Sequence, residues 1–137
     1  MLKLLRGLAD YRRRLRAEMK PVFEKLAFSC WRDDPIKKHM IHHHETGRPL
    51  VIIAGIESHV CVQRTAIDLL AAGYRVYLAA DAIGARFEID HRYALERMNA
   101  SGATLTTVES ALFELCQVAG TPEFKQLSQL IRQSLGS

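Results

Sequence analysis

From residue 49 onward the chain alternates between two hydrophobic periods. Leu50-Val51-Ile52-Ile53-Ala54 is a continuous apolar, β-branched run, the pattern of a strand covered on both faces. Val60, Ala66, Ile67, Leu70 and Ala71 follow at helical spacing and predict a helix near residues 60–72, stopped by Gly73. Arg75–Ala80 reads as the next buried strand. Asp90 can cap a helix carrying Tyr93, Ala94, Leu95 and Met98, which ends before Gly102. Ala103–Val108 predicts a third strand and Glu109–Val118 a further helix. Thr121-Pro122 supplies a cap and a first-turn proline for a last helix bearing Phe124, Leu127, Leu130 and Ile131. Strand and helix in turn imply a parallel sheet with right-handed crossovers, so the fold class is α/β.

The N-terminal third is patterned differently. Residues 2–20 read as one basic helix with Leu4, Leu5, Leu8, Tyr11 and Leu15 on one face, and Pro21 ends it. Val22-Phe23 is at most a short strand, and residues 35–46 form a polar helix closed by Gly47. The strand at 50–54 therefore enters without a strong strand before it to cover its other edge. Two units result: a basic segment over residues 1–20, and an α/β domain over 21–137.

Composition narrows the picture. The 137 residues are 48% hydrophobic and 25% charged, which suits one globular unit. A chain of this size can bury roughly two-thirds of its unfolded surface, so a core is possible without disulfides or a structural metal. No apolar run approaches the ~20 residues that span a bilayer. Nor is there an apolar stretch before the first arginines long enough for a secretory signal. Cys30, Cys61 and Cys116 are an odd, widely spaced trio with no C-x-x-C pair, which argues for reduced thiols and a cytoplasmic setting.

Charge is uneven. Lys and Arg outnumber Asp and Glu by 19 to 15, but residues 1–20 hold seven of the basic groups and two of the acidic ones. The other 117 residues carry 12 basic and 13 acidic groups, so a nucleic-acid face across the domain is not expected. Arg12-Arg13-Arg14-Leu15-Arg16 leaves three readings open: a solvated helix face, a mitochondrial targeting segment, or a contact for acidic surfaces. Asp10 and Glu18 interrupt the run and favour the solvated face.

Candidate chemistry gathers in Ala54-Gly55-Ile56-Glu57-Ser58-His59-Val60-Cys61-Val62, which joins the first strand to its helix. Sites in open α/β sheets collect beyond the carboxyl ends of strands. A cysteine entering a helix meets the positive end of the macrodipole and free N–H groups, which favour thiolate and can hold an oxyanion. The competing reading is a small buried hydrophobe at a strand–helix junction.

Ala54 to Ala66, with the core Glu57-Ser58-His59-Val60-Cys61-Val62, resembles the nucleophile segment of isochorismatase-like cysteine hydrolases. It is most similar to the branch of isochorismatase-domain-containing proteins. Val22-Phe23-Glu24-Lys25-Leu26-Ala27-Phe28-Ser29-Cys30 resembles the catalytic-lysine segment of the same family. Ala79-Ala80-Asp81-Ala82 and residues 106–114 fit in order and spacing, so the resemblance covers about residues 21–132. It implies a three-layer, Rossmann-like parallel sheet, here incomplete at its N-terminal side. It also implies Cys61 as the nucleophile and Lys25 as the cation beside it. A non-proline cis peptide at Ile56–Glu57 would turn the Glu57 and Cys61 N–H groups into an oxyanion hole. The family's third catalytic residue, an Asp ending its first strand, has no counterpart, and the chain reads as N-terminally truncated.

These resemblances lead to a hydrolase acting on a small amide, imide or ester-like molecule without a cofactor, impaired by the missing Asp. His59 and Asp81 are candidates to line the pocket, although capping the loop after its strand is the favoured role of Asp81. Lys25 can instead pair with Glu24 or Asp33. His39 and His43 share a helix face, but no Cys or carboxylate completes a metal set, and no metal is expected. The exposed strand edge favours a homo-oligomer. The alternative function is an inactive fragment acting as an oligomerisation or binding module. No nucleic-acid or membrane partner is expected.

Overall fold

The computed structural model describes residues 22–135, so the helix predicted for residues 2–20, and Pro21, lie outside it. Residues 22–29 form no strand at Val22-Phe23, and a single turn at Cys30–Arg32 leads into the first helix, α1 (Asp34–Glu45). Asp33 starts α1 because its carboxylate accepts the Ile36 N–H at 3.3 Å, with Pro35 in the first turn. The α/β part then runs β1 (Leu50–Ile56), a wide π turn at Ser58–Val62, α2 (Gln63–Ala71), β2 (Arg75–Gly84), α3 (Glu88–Ala100), β3 (Thr104–Thr106), α4 (Val108–Cys116) and α5 (Pro122–Leu135). No described helix is long and apolar enough to cross a membrane.

The three described strands form one parallel sheet in the order β1-β2-β3. Val51 pairs with Val76 and Ile53 with Leu78; beyond an irregularity, Gly55 pairs with Ile83. That resumed pairing carries β2 to Gly84, past the predicted end at Ala80. The core lies where α2 and α3 cover one face of the sheet: Val62, Ala66 and Leu69 meet Val76 and Leu78, with Ala94 and Met98 from α3. Val51 and Ile53 pack against this cluster with Trp31 and Met40. On the other side of the sheet, α4 lies against β2, and Ala79 and Ala111 are buried.

Three sequence expectations are corrected. β1 is covered on one face rather than two: Leu50, Ile52 and Ile56 are 37%, 40% and 57% exposed, because the described core packs on the face that carries Val51 and Ile53. β3 is only three residues long, since Thr107 leaves the ladder to accept the Ser110 N–H and start α4. Asp90 does not cap α3. Phe87 occupies that position without a side-chain bond, while Glu88 and Asp90 place negative charge in the first turn.

Candidate functional site

The Cys61 turn begins where β1 ends, and the Ile56–Glu57 peptide is cis, as the family resemblance implied. The Glu57 carbonyl accepts both the Val60 N–H (3.1 Å) and the Val62 N–H (3.2 Å), and this shared acceptor closes the wide turn. Ser58 and Val62 are the buried residues of the turn and anchor it. Cys61 is a half-buried free thiol between Val60 and Val62. The Glu57 N–H has no acceptor among the described residues. A thiol reachable by solvent thus sits in the same turn as a backbone donor that is free to bind an anion.

The Glu57 side chain is engaged elsewhere. Its Oε2 accepts the Arg86 N–H at 3.1 Å, and its Oε1 lies 3.3 Å from Arg86 Nε. These contacts tie the cis-peptide turn to the loop before α3. His59 lies between two carboxylates, with Nδ1 3.9 Å from Glu57 Oε2 and Nε2 3.9 Å from Asp90 Oδ2. Both distances exceed a hydrogen bond, so the attraction requires a protonated ring. The structure thereby gathers Cys61, Glu57 and His59 within one turn and adds Arg86 and Asp90 around it.

Lys25 belongs to a separate, irregular segment. Its ammonium donates to the carbonyls of Ala27 (2.8 Å) and Phe28 (2.9 Å), curling the chain over it. These are its hydrogen bonds among the described residues, and neither reaches the Cys61 sulfur. An open depression beside it is lined by Phe23, Lys25, Arg32 and Asp33 but not by Cys61. The segment is nonetheless fastened to the helix that follows Cys61. The Cys30 N–H donates to Thr65 Oγ1 at 2.9 Å, and Arg32 Nε lies 2.9 Å from Asp68 Oδ2. The Arg32 hydrogen bond holds the Asp68 carboxyl below its usual range.

Asp81 follows the buried part of β2, and its Oδ1 accepts the Val108 N–H at 2.9 Å, the first N–H of α4. Its partner is thus the helix after the next strand, and not the loop after its own. Cys30 and Cys116 are half-buried free thiols, and Trp31 meets Tyr74 edge-on at 5.4 Å. Among the described residues no group of three or more His, Cys, Asp or Glu is placed to hold a metal ion. Sequence reasoning missed Arg86, Asp90, Thr65 and Asp68 as parts of this framework. Their partners lie 29 to 36 positions away in three of the bonds, and neither local periodicity nor capping patterns report such pairs.

The Isochorismatase domain matches residues 8–110. The secreted isochorismatase effector Isc1 of Phytophthora sojae is 42% identical over 114 residues, which cover 83% of this chain and 53% of that protein. The chain thus spans about half the length of that relative. Among solved structures, the MAR1 ribonuclease of Caenorhabditis elegans aligns with a TM-score of 0.74 and 35% identity, over 83% of this chain and 56% of that one. YcaC from Pseudomonas aeruginosa, solved with hexane-2,5-diol and covalent acrylamide, aligns with a TM-score of 0.65 and 27% identity, over 83% and 59%.

Proposed function

The chain belongs to the isochorismatase family, and we propose that its chemistry is that of a cysteine hydrolase acting on a small amide, imide or ester-like substrate. The observation that carries this reading is the half-buried free thiol of Cys61 in the same turn as the unengaged Glu57 N–H, at the carboxyl end of β1. In the proposed reaction Cys61 Sγ attacks the carbonyl carbon, and the carbonyl oxygen takes the charge. The Glu57 and Cys61 N–H groups bind that oxyanion. The bond to the leaving nitrogen or oxygen breaks, the leaving group takes up a proton, and an acyl–sulfur bond remains on Cys61. Water then cleaves that bond and restores the thiol.

Lys25 is proposed as the cation that favours the thiolate. To act so, its ammonium must exchange the Ala27 and Phe28 carbonyls for the sulfur. His59 and Asp81 are proposed to border the substrate. We also propose that the family's strand-ending Asp has no counterpart in this chain and that the chain alone therefore turns over slowly. No cofactor enters the scheme. The C. elegans neighbour is named a ribonuclease. A small substrate is favoured here because residues 21–137 carry as much acidic as basic charge and so lack the charge excess that binds a phosphate backbone.

Acrylamide labelling followed by peptide mass spectrometry tests the nucleophile. Cys61 should react about tenfold or more faster than Cys30 and Cys116 near neutral pH. Equal rates at the three cysteines would overturn the assignment. A panel of small amides, imides and esters, with an RNA oligonucleotide as a parallel arm, tests the substrate class. Hydrolysis of a panel member should vanish in Cys61→Ser, and RNA cleavage alone would replace the small-substrate reading.

A second reading is an inactive module that assembles with other copies. It is favoured by β1, which stands at the edge of the described sheet with Leu50, Ile52 and Ile56 exposed. Light scattering should then show an oligomer that Ile52→Glu converts to monomer. A monodisperse wild-type monomer would remove this reading.

A further inference from the structure

Helix α1 carries an arrangement that the proposed hydrolysis does not use. His39 and His43 lie one helical turn apart, where side chains stack along a single face. Their rings meet edge to face with centroids 4.5 Å apart, and their Nε2 atoms are separated by 3.2 Å. Phe23 packs on His39 at 5.4 Å, and His42 meets the other side of the pair at 5.7 Å from His43. Both rings of the pair are half-buried, so neighbours on the helix and in the preceding segment limit their rotation.

The 3.2 Å separation has a second meaning. Two imidazole nitrogens each about 2.1 Å from one ion, and 3.2 Å from each other, subtend roughly 100° at that ion. That angle lies between octahedral and tetrahedral coordination. We propose that His39 and His43 form a bidentate site for a late first-row divalent ion of the Zn²⁺, Ni²⁺ and Cu²⁺ class. Water completes the coordination shell, since no third side chain among the described residues is placed to join. The site is therefore exchangeable, unlike a four-ligand structural zinc centre.

Without an ion, one ring donates its Nε2–H to the lone pair of the other. Binding replaces that shared proton. The donor ring moves its hydrogen to Nδ1, both Nε2 lone pairs turn to the metal, and no oxidation state changes. Phe23 stands two positions before Lys25, so the ion binds beside the Lys25 segment rather than at Cys61.

The test is calorimetric titration of the full chain with Ni²⁺ and Zn²⁺, after alkylation of its thiols so that cysteine cannot compete. The expected result is one saturable site. His39→Ala and His43→Ala should each weaken Ni²⁺ binding about tenfold or more, and the double variant no further than either single one, because a chelate is lost with its first arm. His42→Ala and His44→Ala should remain within about twofold of wild type, as non-ligands in the same tract. No saturable binding, or equal weakening by all four substitutions, would overturn the proposal. Zn²⁺-induced shifts of the histidine ring resonances in the wild-type chain give an independent reading that needs no variant. The largest shifts should fall on His39 and His43, and shifts spread evenly over the histidines would refute the site.

Discussion

Cys30 donates its backbone N–H to Thr65 Oγ1 at 2.9 Å, a bond between residues 35 positions apart. Thr65 lies four residues, about one turn, after Cys61, and it is buried. Cys30 closes the irregular segment that begins near Lys25. The bond therefore sets the distance between the two segments that carry the proposed nucleophile and cation. No sheet or helix ladder does so among the described residues, because residues 22–29 join neither.

Thr65→Val keeps the shape of the side chain and removes the acceptor, leaving the Cys30 N–H without a partner. It should destabilise the fold by about 1–3 kcal/mol, whereas Thr65→Ser should retain most of the stability. Urea unfolding of the two variants decides the matter: equal midpoints would mean that the bond holds nothing in place.

The Arg32–Asp68 pair gives a pH signature. The Arg32 hydrogen bond, set against the opposing effect of burial, holds the folded carboxyl of Asp68 below its unfolded value, so the unfolded chain binds more protons in acid. The stabilisation is present above the unfolded pKa of about 3.9 and is lost as pH falls through the lower folded value. Asp68→Asn should thus lower the thermal midpoint by a few degrees near neutral pH. The gap to wild type should close in strong acid. A gap that stays constant with pH would assign the loss to packing instead of charge.

Gly55 follows the irregularity in the β1–β2 ladder and has φ +122°, while a Cβ built there meets nothing within 4 Å. Space is open, so the cost of Gly55→Ala comes from the backbone angle alone, on the order of 1–3 kcal/mol. The variant should also lower acrylamide labelling of Cys61, because Gly55 sets the direction in which β1 enters the turn. Unchanged stability and labelling would show that an L-residue fits this position.

Met98 has no solvent exposure and Ile56 is 57% exposed, although both are large apolar residues. Met98→Ala should cost about 2–5 kcal/mol through the cavity it leaves. Ile56→Ala in the monomer should cost well under about 1 kcal/mol, because its side chain is already in water. Denaturant curves for the two variants with similar midpoints would contradict the burial pattern.

Much of the architecture was legible in local pattern. The apolar runs at 50–54 and 75–80 became the paired strands β1 and β2, and Thr121 with Pro122 started α5 through the 3.1 Å bond to the Phe124 N–H. Thr107 and Asp90 show where pattern reading stops. Thr107 has the β-branched shape of a strand residue, yet its hydroxyl captures the Ser110 N–H and ends β3. Asp90 has the chemistry of a cap, yet extended backbone at Phe87 fixes the start of α3 three residues earlier. Each position satisfied two local preferences, and the neighbouring chain chose between them.

The sequence by itself determined the α/β class, the strand–turn–helix that carries Cys61, and the pairing of His39 with His43 on one helix face. All of these depend on residues within a few positions of one another, where spacing fixes geometry. Only the tertiary structure decided that Arg86 holds Glu57, that Asp81 accepts the first N–H of α4, that Thr65 and Asp68 hold the Lys25 segment, and that β1 is exposed on one face. These depend on chain crossings of 27 to 36 residues and on what lies across the sheet. A side chain's partner at that range is set by the packing of whole elements, and no local periodicity encodes it.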